Sequence, residues 1–185
     1  DRYLDTMRED IGELNALIGR ILILSKLDMH KASQKSEYLH LSGMINELLE
    51  KLKPFIDHKH LHIITDLSVD PPVFGNKDSL RMALSNILDN AVKFTPENGE
   101  IYVEMHQEQN DLKISVTNSS IPLSEEDLEK IFEPFYRIDQ SPPSGSGLGL
   151  AIAKKIIENH HGCIEASNTE GGIKILICLP TCSSE

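Results

Sequence analysis

The sequence Gly145-Ser-Gly-Leu-Gly149 runs directly into Leu150-Ala-Ile-Ala-Lys-Lys-Ile-Ile157. The second part has the apolar periodicity of an amphipathic helix, and the three alternate glycines form a turn at its start. Backbone N–H groups at a helix N-terminus point outward and attract an anion, so the arrangement is typical of a phosphate-binding loop. Alternate glycines also occur in ordinary turns, and the loop alone does not decide between these two interpretations.

A second stretch upstream, Asn86-Ile-Leu-Asp-Asn-Ala-Val-Lys-Phe94, favours the phosphate interpretation. On a helix, at about 100° per residue, Asn86, Asn90 and Lys93 fall within about 60° of one another, opposite an apolar face. An amide oxygen can ligate Mg²⁺, which usually keeps substrate phosphates in its shell, and a lysine ammonium offers a point charge to phosphate. A solvated polar helix face is the alternative. Because the glycine loop accompanies this helix, we interpret the pair as a nucleotide-binding site.

The composition of the chain argues against several classes of protein. With 185 residues, of which 39% are hydrophobic and 25% charged, the chain can bury one full core. A net charge of −11 argues against a nucleic-acid surface. Because no run of about 18 apolar residues occurs, we expect no membrane contact from this chain. Cys163, Cys178 and Cys182 lack the spacing of a metal site and are expected to be reduced thiols.

The first 28 residues carry a heptad seam, in which apolar residues recur at alternating three- and four-residue steps. This pattern predicts a helix that pairs with other helices in a bundle, and a single helix lying on its own domain is the alternative. We expect a helical arm at 1–28, a polar linker at 29–36 and, because the chain starts in mid-helix without Met, a longer parent protein. The seam consists of Leu4, Met7, Ile11, Leu14, Ile18 and Ile21.

The remainder, 37–182, is predicted to be one domain. Helices grouped against strands that pair mostly in hairpins give a two-layer α/β sandwich. Ser42 and Ser124 are expected to cap helices, and Gly162 is expected to end the last one. Helices are predicted at 42–55, 77–94, 124–131 and 147–160, and strands at 38–41, 61–67, 73–74, 101–106, 112–117, 163–167 and 173–179.

The two stretches quoted first resemble the G2 box and the N box of two-component sensor histidine kinases. Between them, Ile131-Phe-Glu-Pro-Phe-Tyr-Arg137 resembles the F box, and the three occur in the family's order. The resemblance covers 37–180 and implies the α+β fold of the histidine kinase, gyrase and Hsp90 ATPases, in which a mixed, mostly antiparallel sheet packs on three helices. It further implies that 1–28 is the second helix of the dimerisation domain and 37–182 the ATP-binding catalytic domain.

The resemblance also implies roles for the site residues. Asn90 would bind Mg²⁺, and Asn86 would close the polyphosphate site. Phe132 and Phe135 would anchor a lid formed by 138–144. Arg137 would stabilise the charge that develops on the γ-phosphoryl group during transfer. The catalytic set is Asn86, Lys93 and Arg137, and the ATP-binding set adds Asn90, Phe94, Asn118, Ile121, Gly145, Ser146, Gly147, Leu148, Gly149 and Leu150.

Asn86 indicates which reaction the site performs. In the related hydrolytic ATPases a glutamate at this position activates water, whereas an amide cannot accept a proton at neutral pH. The site should therefore hold ATP intact for an incoming nucleophile. A gyrase-like ATPase is accordingly the less favoured alternative.

The chain departs from the family at the adenine end. Histidine kinases usually carry an Asp-x-Gly-x-Gly motif, whereas this chain reads Val116-Thr-Asn-Ser-Ser-Ile-Pro122. Asn118 replaces the aspartate, and a neutral amide is a weaker acceptor than a carboxylate. We expect adenine recognition to persist with reduced affinity. The shortened motif is faintly similar to that of VanS-type antibiotic sensors.

A second departure concerns the phosphoacceptor, because none of the eight histidines lies in a Ser-His-Glu-type box. The leading hypothesis is the catalytic part of a histidine kinase, which donates the γ-phosphoryl of Mg-ATP to a histidine outside this chain and does not autophosphorylate alone. The phosphoryl group would pass to a response-regulator receiver domain. A degenerate nucleotide-binding or scaffold module is the alternative. The resemblance implies a full-length homodimer through the arm, and the cytoplasmic portion of a membrane-anchored bacterial sensor.

Overall fold

The computed structural model describes residues 2–29, 35–138 and 145–181. The chain divides into two compact units, Asp1–Ser33 and Gln34–Glu185. The predicted lid lies almost entirely outside the described residues, as do Cys182 and most of the predicted linker.

The first unit is a single helix, α1 (Arg2–Met29). The described side chains of its apolar seam, from Met7 to Ile21, are 41–58% exposed. The seam therefore lies on the surface of this unit, as expected of a helix that packs against other helices through a heptad pattern. Within the described residues, none of the helices combines the length and the apolar character needed to cross a membrane.

The second unit is an α+β domain, as predicted. Its elements are β1 (Glu37–Leu39), α2 (Leu41–His58), β2 (His62–Asp66), β3 (Val73–Gly75), α3 (Lys77–Phe94), β4 (Glu100–Glu108), β5 (Asp111–Ser119), α4 (Glu125–Lys130), α5 (Gly149–Asn159), β6 (Cys163–Thr169) and β7 (Gly172–Pro180). A five-stranded sheet has the order β2-β4-β5-β7-β6, in which β2 runs parallel to β4 and the other neighbours are antiparallel. A separate two-stranded sheet pairs β1 with β3.

The core lies between one face of the five-stranded sheet and the long helices. The apolar face predicted for α3 is buried, and α3 packs against α5 and β5. Burying each leucine or isoleucine of this size contributes about 1.5–3 kcal/mol, so the apolar stripe fixes which side of α3 remains accessible. The inward-facing core residues on these elements include Leu80, Leu84, Ile87, Leu88, Ile101, Val103, Ile114, Ile152 and Ile156.

The start of α2 differs from the prediction. The helix begins at Leu41, and its N-cap residue, His40, makes no capping bond through its side chain. The carboxylate of Asp70 instead accepts bonds from the backbone N–H groups of Leu41 (2.9 Å) and Ser42 (3.1 Å) and from the Ser42 hydroxyl (2.5 Å). Ser42 is therefore a first-turn residue and not the cap, because a distant acidic side chain satisfies the free N–H groups. The preceding strand accordingly stops at Leu39, short of the predicted end.

The bounds of α5 also differ. The helix begins at Gly149 and ends at Asn159, and the residue in the left-handed conformation after it is His161, with φ of 60°. The N–H groups of His161 and Gly162 donate to the carbonyls of Glu158 and Ile157 (both 3.0 Å), which forms a Schellman motif. The predicted stop at Gly162 is thus one residue late. In contrast, the predicted cap at Ser124 is confirmed, because its hydroxyl accepts the N–H of Asp127 at 3.1 Å.

Candidate nucleotide-binding site

Hydrogen bonds at both ends of α3 fix the helix that carries the predicted polar face. At its start, the side chain of Asn76 accepts the N–H of Ser79 at 2.9 Å. At its end, Nζ of Lys59 donates to the carbonyl oxygens of Val92 and Lys93, each at 2.9 Å. Burial lowers the pKa of the Lys59 ammonium. A cation at this position also complements the negative end of the helix dipole.

The polar face of α3 meets the glycine loop. Asn86, Asn90 and Lys93 are all half-buried on α3. A Cβ placed on Gly145 would lie 2.5 Å from Nζ of Lys93, and one placed on Gly149 would lie 3.2 Å from Oδ1 of Asn86. The loop backbone at Gly145 and Gly149 thus lies directly against these two side chains. The structure therefore brings together the two stretches that the sequence singled out.

The N-terminus of α5 presents backbone N–H groups beside this face. Its N-cap residue, Leu148, makes no side-chain capping bond, and its carbonyl accepts the N–H of Ile152 at 2.9 Å. Leu148 is fully buried, so it can serve a ligand only through its backbone, whereas Ser146 and Leu150 are half-buried. Such a helix N-terminus offers donors and a positive dipole end to an anion.

The F-box segment is joined to the glycine loop through the backbone. The N–H of Phe135 donates to the carbonyl of Gly147 at 3.0 Å. Both residues have left-handed backbones, with φ of 67° at Phe135 and 66° at Gly147. A non-glycine residue in this region is strained, and strain of this kind is held only where surrounding contacts enforce it. The loop and the F-box segment therefore form one connected unit.

Only one of the two expected aromatic anchors is buried. Phe132 is 8% exposed, and Nζ of Lys154 on α5 lies 5.7 Å from the centroid of its ring. The ring of Phe135 is 57% exposed and does not pack in the core, and the lid that it is expected to anchor lies almost entirely outside the described residues. The hydrogen bond from its N–H to the carbonyl of Gly147 holds the backbone of the F-box segment against the glycine loop, and its ring remains accessible to solvent.

Arg137 follows a residue that is tied to α4. The hydroxyl of Tyr136 donates to Oδ1 of Asp127 at 2.7 Å, and the Ser124 hydroxyl donates to Oδ2 at 2.5 Å. The bonds from Ser124 and then Tyr136 hold the pKa of the Asp127 carboxyl below its usual range, and the bond to Asp127 raises the pKa of Tyr136. Arg137 itself is half-buried at the end of this segment. Sequence reasoning missed the Tyr136–Asp127 bond, although Ser124 and Asp127 have the spacing of a capping pair.

At the predicted adenine end, Asn118 lies near the end of β5 and is 8% exposed. It alternates with Val116 and Ile114 on the helix-facing side of the sheet, which places its amide on the same side as α3. Its Nδ2 donates to the carbonyl of Ser119 at 3.3 Å. Ile121 in the following loop is 81% exposed. Asn118 thus has the position of an interior polar group, and Ile121 that of a surface residue.

Two residues outside the predicted set hold this shortened loop. Oδ1 of Asn168 on β6 accepts the N–H of Leu123 at 2.9 Å, and its Nδ2 donates to the carbonyl of Leu123 at 2.8 Å. Gly172 has φ of 157°, and a Cβ there would lie 1.9 Å from the carbonyl oxygen of Asn118. The neighbouring hairpin therefore supports this loop from two sides. No periodic pattern in the sequence could have revealed these contacts.

Removing the Asn168 side chain should loosen the loop and weaken adenine binding. We expect Asn168→Ala to lower ATP affinity by at least about fivefold, since two partly exposed hydrogen bonds contribute at least about 0.5 kcal/mol each, or about 1 kcal/mol together. Affinity for tripolyphosphate, which lacks the base, should not change. Calorimetric titration with both ligands checks this, with Ser167→Ala as the control on the same strand. Equal weakening for both ligands would show that Asn168 does not act through the adenine end.

Comparison with known proteins agrees with this geometry. Residues 75–182 match the family described as histidine kinase-, DNA gyrase B-, and HSP90-like ATPase. The chain is 33% identical over 165 residues to the heme sensor protein HssS of Staphylococcus aureus strain Newman, a match that covers 89% of this chain. The match spans 35% of the length of that relative, so the chain corresponds to about a third of it.

Solved structures show the same architecture. The catalytic domain of histidine kinase ThkA has a TM-score of 0.72 and 30% identity, covering 80% of this chain and 97% of that one. ThkA in complex with response regulator protein TrrA has a TM-score of 0.78 and 25% identity, covering 98% of this chain and 51% of that one. Full-length ShkA in complex with AMPPNP has a TM-score of 0.85 at 23% identity, covering 99% and 39%. The last of these likenesses supports the fold alone.

Proposed function

Since the chain belongs to the histidine kinase-, DNA gyrase B- and HSP90-like ATPase family, as a sensor histidine kinase catalytic domain, we propose that it binds Mg-ATP and donates the γ-phosphoryl group to a histidine. One observation carries this proposal. The glycine loop lies against Asn86 and Lys93 at the N-terminus of α5, so an amide, an ammonium and a helix N-terminus converge on one place. These are the groups that a metal-bound polyphosphate requires.

The residues present fit a magnesium ion. Asn90 lies one helical turn after Asn86 and offers a neutral amide oxygen, a ligand type that Mg²⁺ accepts alongside phosphate oxygens and water. When bound, Mg²⁺ would neutralise part of the polyphosphate charge. Lys93 would contact phosphate, and the loop of Gly145, Ser146 and Gly147 would approach the phosphates through its backbone. The N–H groups of Gly149 and Leu150 in the first turn of α5 would donate to phosphate oxygens.

The nucleobase would lie at the opposite end of the site. The carbonyl of the Asn118 amide would accept a bond from the adenine amino group, as a neutral replacement for the family's aspartate. Ile121 and Phe94 would contact the nucleotide through apolar surface, since both side chains are more than half exposed. Nζ of Lys93 lies 5.1 Å from the centroid of the Phe94 ring, which connects this aromatic surface to the phosphate end.

Transfer requires a nucleophile that the described site does not include. The acceptor imidazole would form an N–P bond to the γ-phosphorus while the bond to the β,γ-bridging oxygen breaks, and ADP would leave. Arg137 would stabilise the charge on the γ-phosphoryl oxygens during this step. Asn86 cannot take a proton from water, so hydrolysis would be slow. The likeness to named histidine kinases favours this function over a degenerate module without activity.

We also propose the context in which the domain works. The complex of ThkA with TrrA supports a response regulator as the partner that receives the phosphoryl group. The exposed apolar seam of α1 supports homodimerisation of the full-length protein through this helix. The match to about a third of a heme sensor protein supports a larger sensor, and we place this part of it in the cytoplasm of a bacterium, attached to a membrane-anchored receptor.

If Arg137 acts only during phosphoryl transfer, its removal should slow transfer without changing nucleotide affinity. We expect Arg137→Ala to leave ADP affinity unchanged and to slow phosphoryl transfer by at least about tenfold, or about 1.4 kcal/mol, because the guanidinium acts on charge that develops only in the transition state. The measurements are calorimetry with ADP and single-turnover transfer to a supplied dimerisation domain. Arg81→Ala, which removes an arginine paired with Glu47 at 2.8 Å, is the control. Equal losses in ADP affinity and transfer rate would make Arg137 a structural residue.

A further inference from the structure

Two cysteines face each other on the sheet, outside the nucleotide site. Cys163 on β6 is the direct antiparallel partner of Cys178 on β7. Both alternate with buried residues, Ile164 and Ile177, so their side chains lie on the sheet face that is turned away from the helices. Cys163 is exposed and Cys178 is half-buried, and both are free thiols. Small molecules in solution can therefore reach the pair.

The two thiols are close enough to share a hydrogen bond. Burial, followed by a hydrogen bond to Cys163, raises the pKa of Cys178 to about 11. Cys178 therefore keeps its proton and is positioned to donate to the sulfur of Cys163. Lys113, the register partner of Cys178 on β5, lies on the same face, where its ammonium is paired with the carboxylate of Glu108. Cys163 is the more exposed of the two thiols, so an incoming small molecule reaches it first.

The register also satisfies the geometry of a disulfide. Directly opposed residues of an antiparallel pair have Cα atoms about 4.5 Å or about 5.5 Å apart, depending on their hydrogen bonding. A disulfide requires a Cα separation of about 4.4–6.8 Å and Cβ atoms that point the same way. Opposed residues in a sheet meet both conditions. The strand register therefore allows a bridge between Cys163 and Cys178.

We propose that Cys163 and Cys178 form a dithiol site that low-molecular-weight disulfides oxidise to an intramolecular disulfide. The Cys163 thiolate attacks one sulfur of the small disulfide, forms a mixed disulfide and releases one small thiolate. Cys178 loses its proton to water, attacks the sulfur of Cys163 and releases the second small thiolate. Two protein thiols are thereby oxidised, and one small disulfide is reduced to two thiols.

The bridge ties the edge of the sheet to its interior. β6 is an edge strand, and it starts directly after Gly162, whose N–H bonds the end of α5 at Ile157. A Cβ on Gly162 would lie 2.3 Å from the carbonyl oxygen of Cys178, so the two strands already approach closely here. Oxidation would add a covalent bond between β6 and β7 next to the end of α5. Because the nucleotide site lies on the helix-covered side, nucleotide affinity remains the same in both redox states.

The test uses the full chain with Cys182→Ser, so that two thiols remain, equilibrated with mixtures of reduced and oxidised glutathione. We expect both thiols to be lost together, no glutathione to remain on the protein, and peptide mapping to recover Cys163 joined to Cys178. Cys163→Ser and Cys178→Ser in the same background should each retain a single glutathione or a free thiol. The unsubstituted chain, mapped in the same way, should give the same bridge. Two stable glutathione adducts, two persistent free thiols at the most oxidising ratio, or a bridge to Cys182 would overturn the proposal.

Discussion

Replacing Gly147 by alanine is expected to lower the affinity for Mg-ATP by about 100-fold, or about 2.7 kcal/mol. The glycine has φ of 66°, where a side chain is strained by about 1–3 kcal/mol. A Cβ would also lie 2.8 Å from the carbonyl carbon of Phe135 and 2.8 Å from the carbonyl oxygen of Tyr136. These are backbone atoms that cannot rotate away, so the loop must separate from the F-box segment. The loss is measured by calorimetric titration with Mg-ATP.

Gly171→Ala is the matched control for this variant. A Cβ at Gly171 meets no atom within 4 Å, and the residue lies in the hairpin turn between β6 and β7. Its substitution should change the affinity and the free energy of unfolding by no more than about 0.5 kcal/mol. If Gly147→Ala binds Mg-ATP as tightly as the unsubstituted chain, the contact between the loop and the F-box segment does not support the nucleotide site.

Replacing Asn90 by alanine is expected to remove the part of ATP affinity that depends on Mg²⁺. The unsubstituted chain should bind ATP more than about tenfold tighter with Mg²⁺ than with a chelator, because the metal links the amide oxygen to the phosphates. Asn90→Ala should bind equally in both conditions. Titration of each protein with ATP, with Mg²⁺ and then with chelator, gives the four affinities required.

Asp89→Ala is the control for Asn90→Ala. Asp89 is exposed, about 100° around the helix from Asn90, and accepts a bond from the Ser85 hydroxyl at 3.2 Å. We expect this variant to keep the full effect of Mg²⁺. A normal response to Mg²⁺ in Asn90→Ala, or its loss in Asp89→Ala, would show that Asn90 is not the metal ligand.

The fold could be predicted because its elements carry strong local signals. α3 has the predicted bounds, 77–94, since its apolar stripe and its flanking polar residues agree on one helix. The hairpins of β4 with β5 and of β6 with β7 follow from alternation and turn residues. The start of α2 could not be predicted, because Asp70, which binds its first N–H groups, lies far along the chain. Capping rules describe local sequence, and this contact is not local.

The candidate site likewise has parts that local sequence patterns predict and parts that depend on contacts between distant segments. Helical periodicity placed Asn86 and Lys93 on one face, and the structure sets the glycine loop against both. The support of the adenine loop by Asn168, and the left-handed backbone of Phe135 against Gly147, come from tertiary contacts between separate elements. No residue pattern specifies such contacts in a single sequence.

The central claim is that the domain donates the γ-phosphoryl of ATP to a histidine and does not hydrolyse ATP at a comparable rate. The most direct measurement supplies Mg-ATP labelled in the γ-phosphate, with and without a separate dimerisation domain that carries an acceptor histidine. We predict acid-labile label on the acceptor histidine when that domain is present, and very slow release of phosphate when it is absent, because Asn86 cannot deprotonate water. Rapid ATP turnover without the acceptor, and no labelled histidine with it, would contradict the kinase function and favour an ATPase.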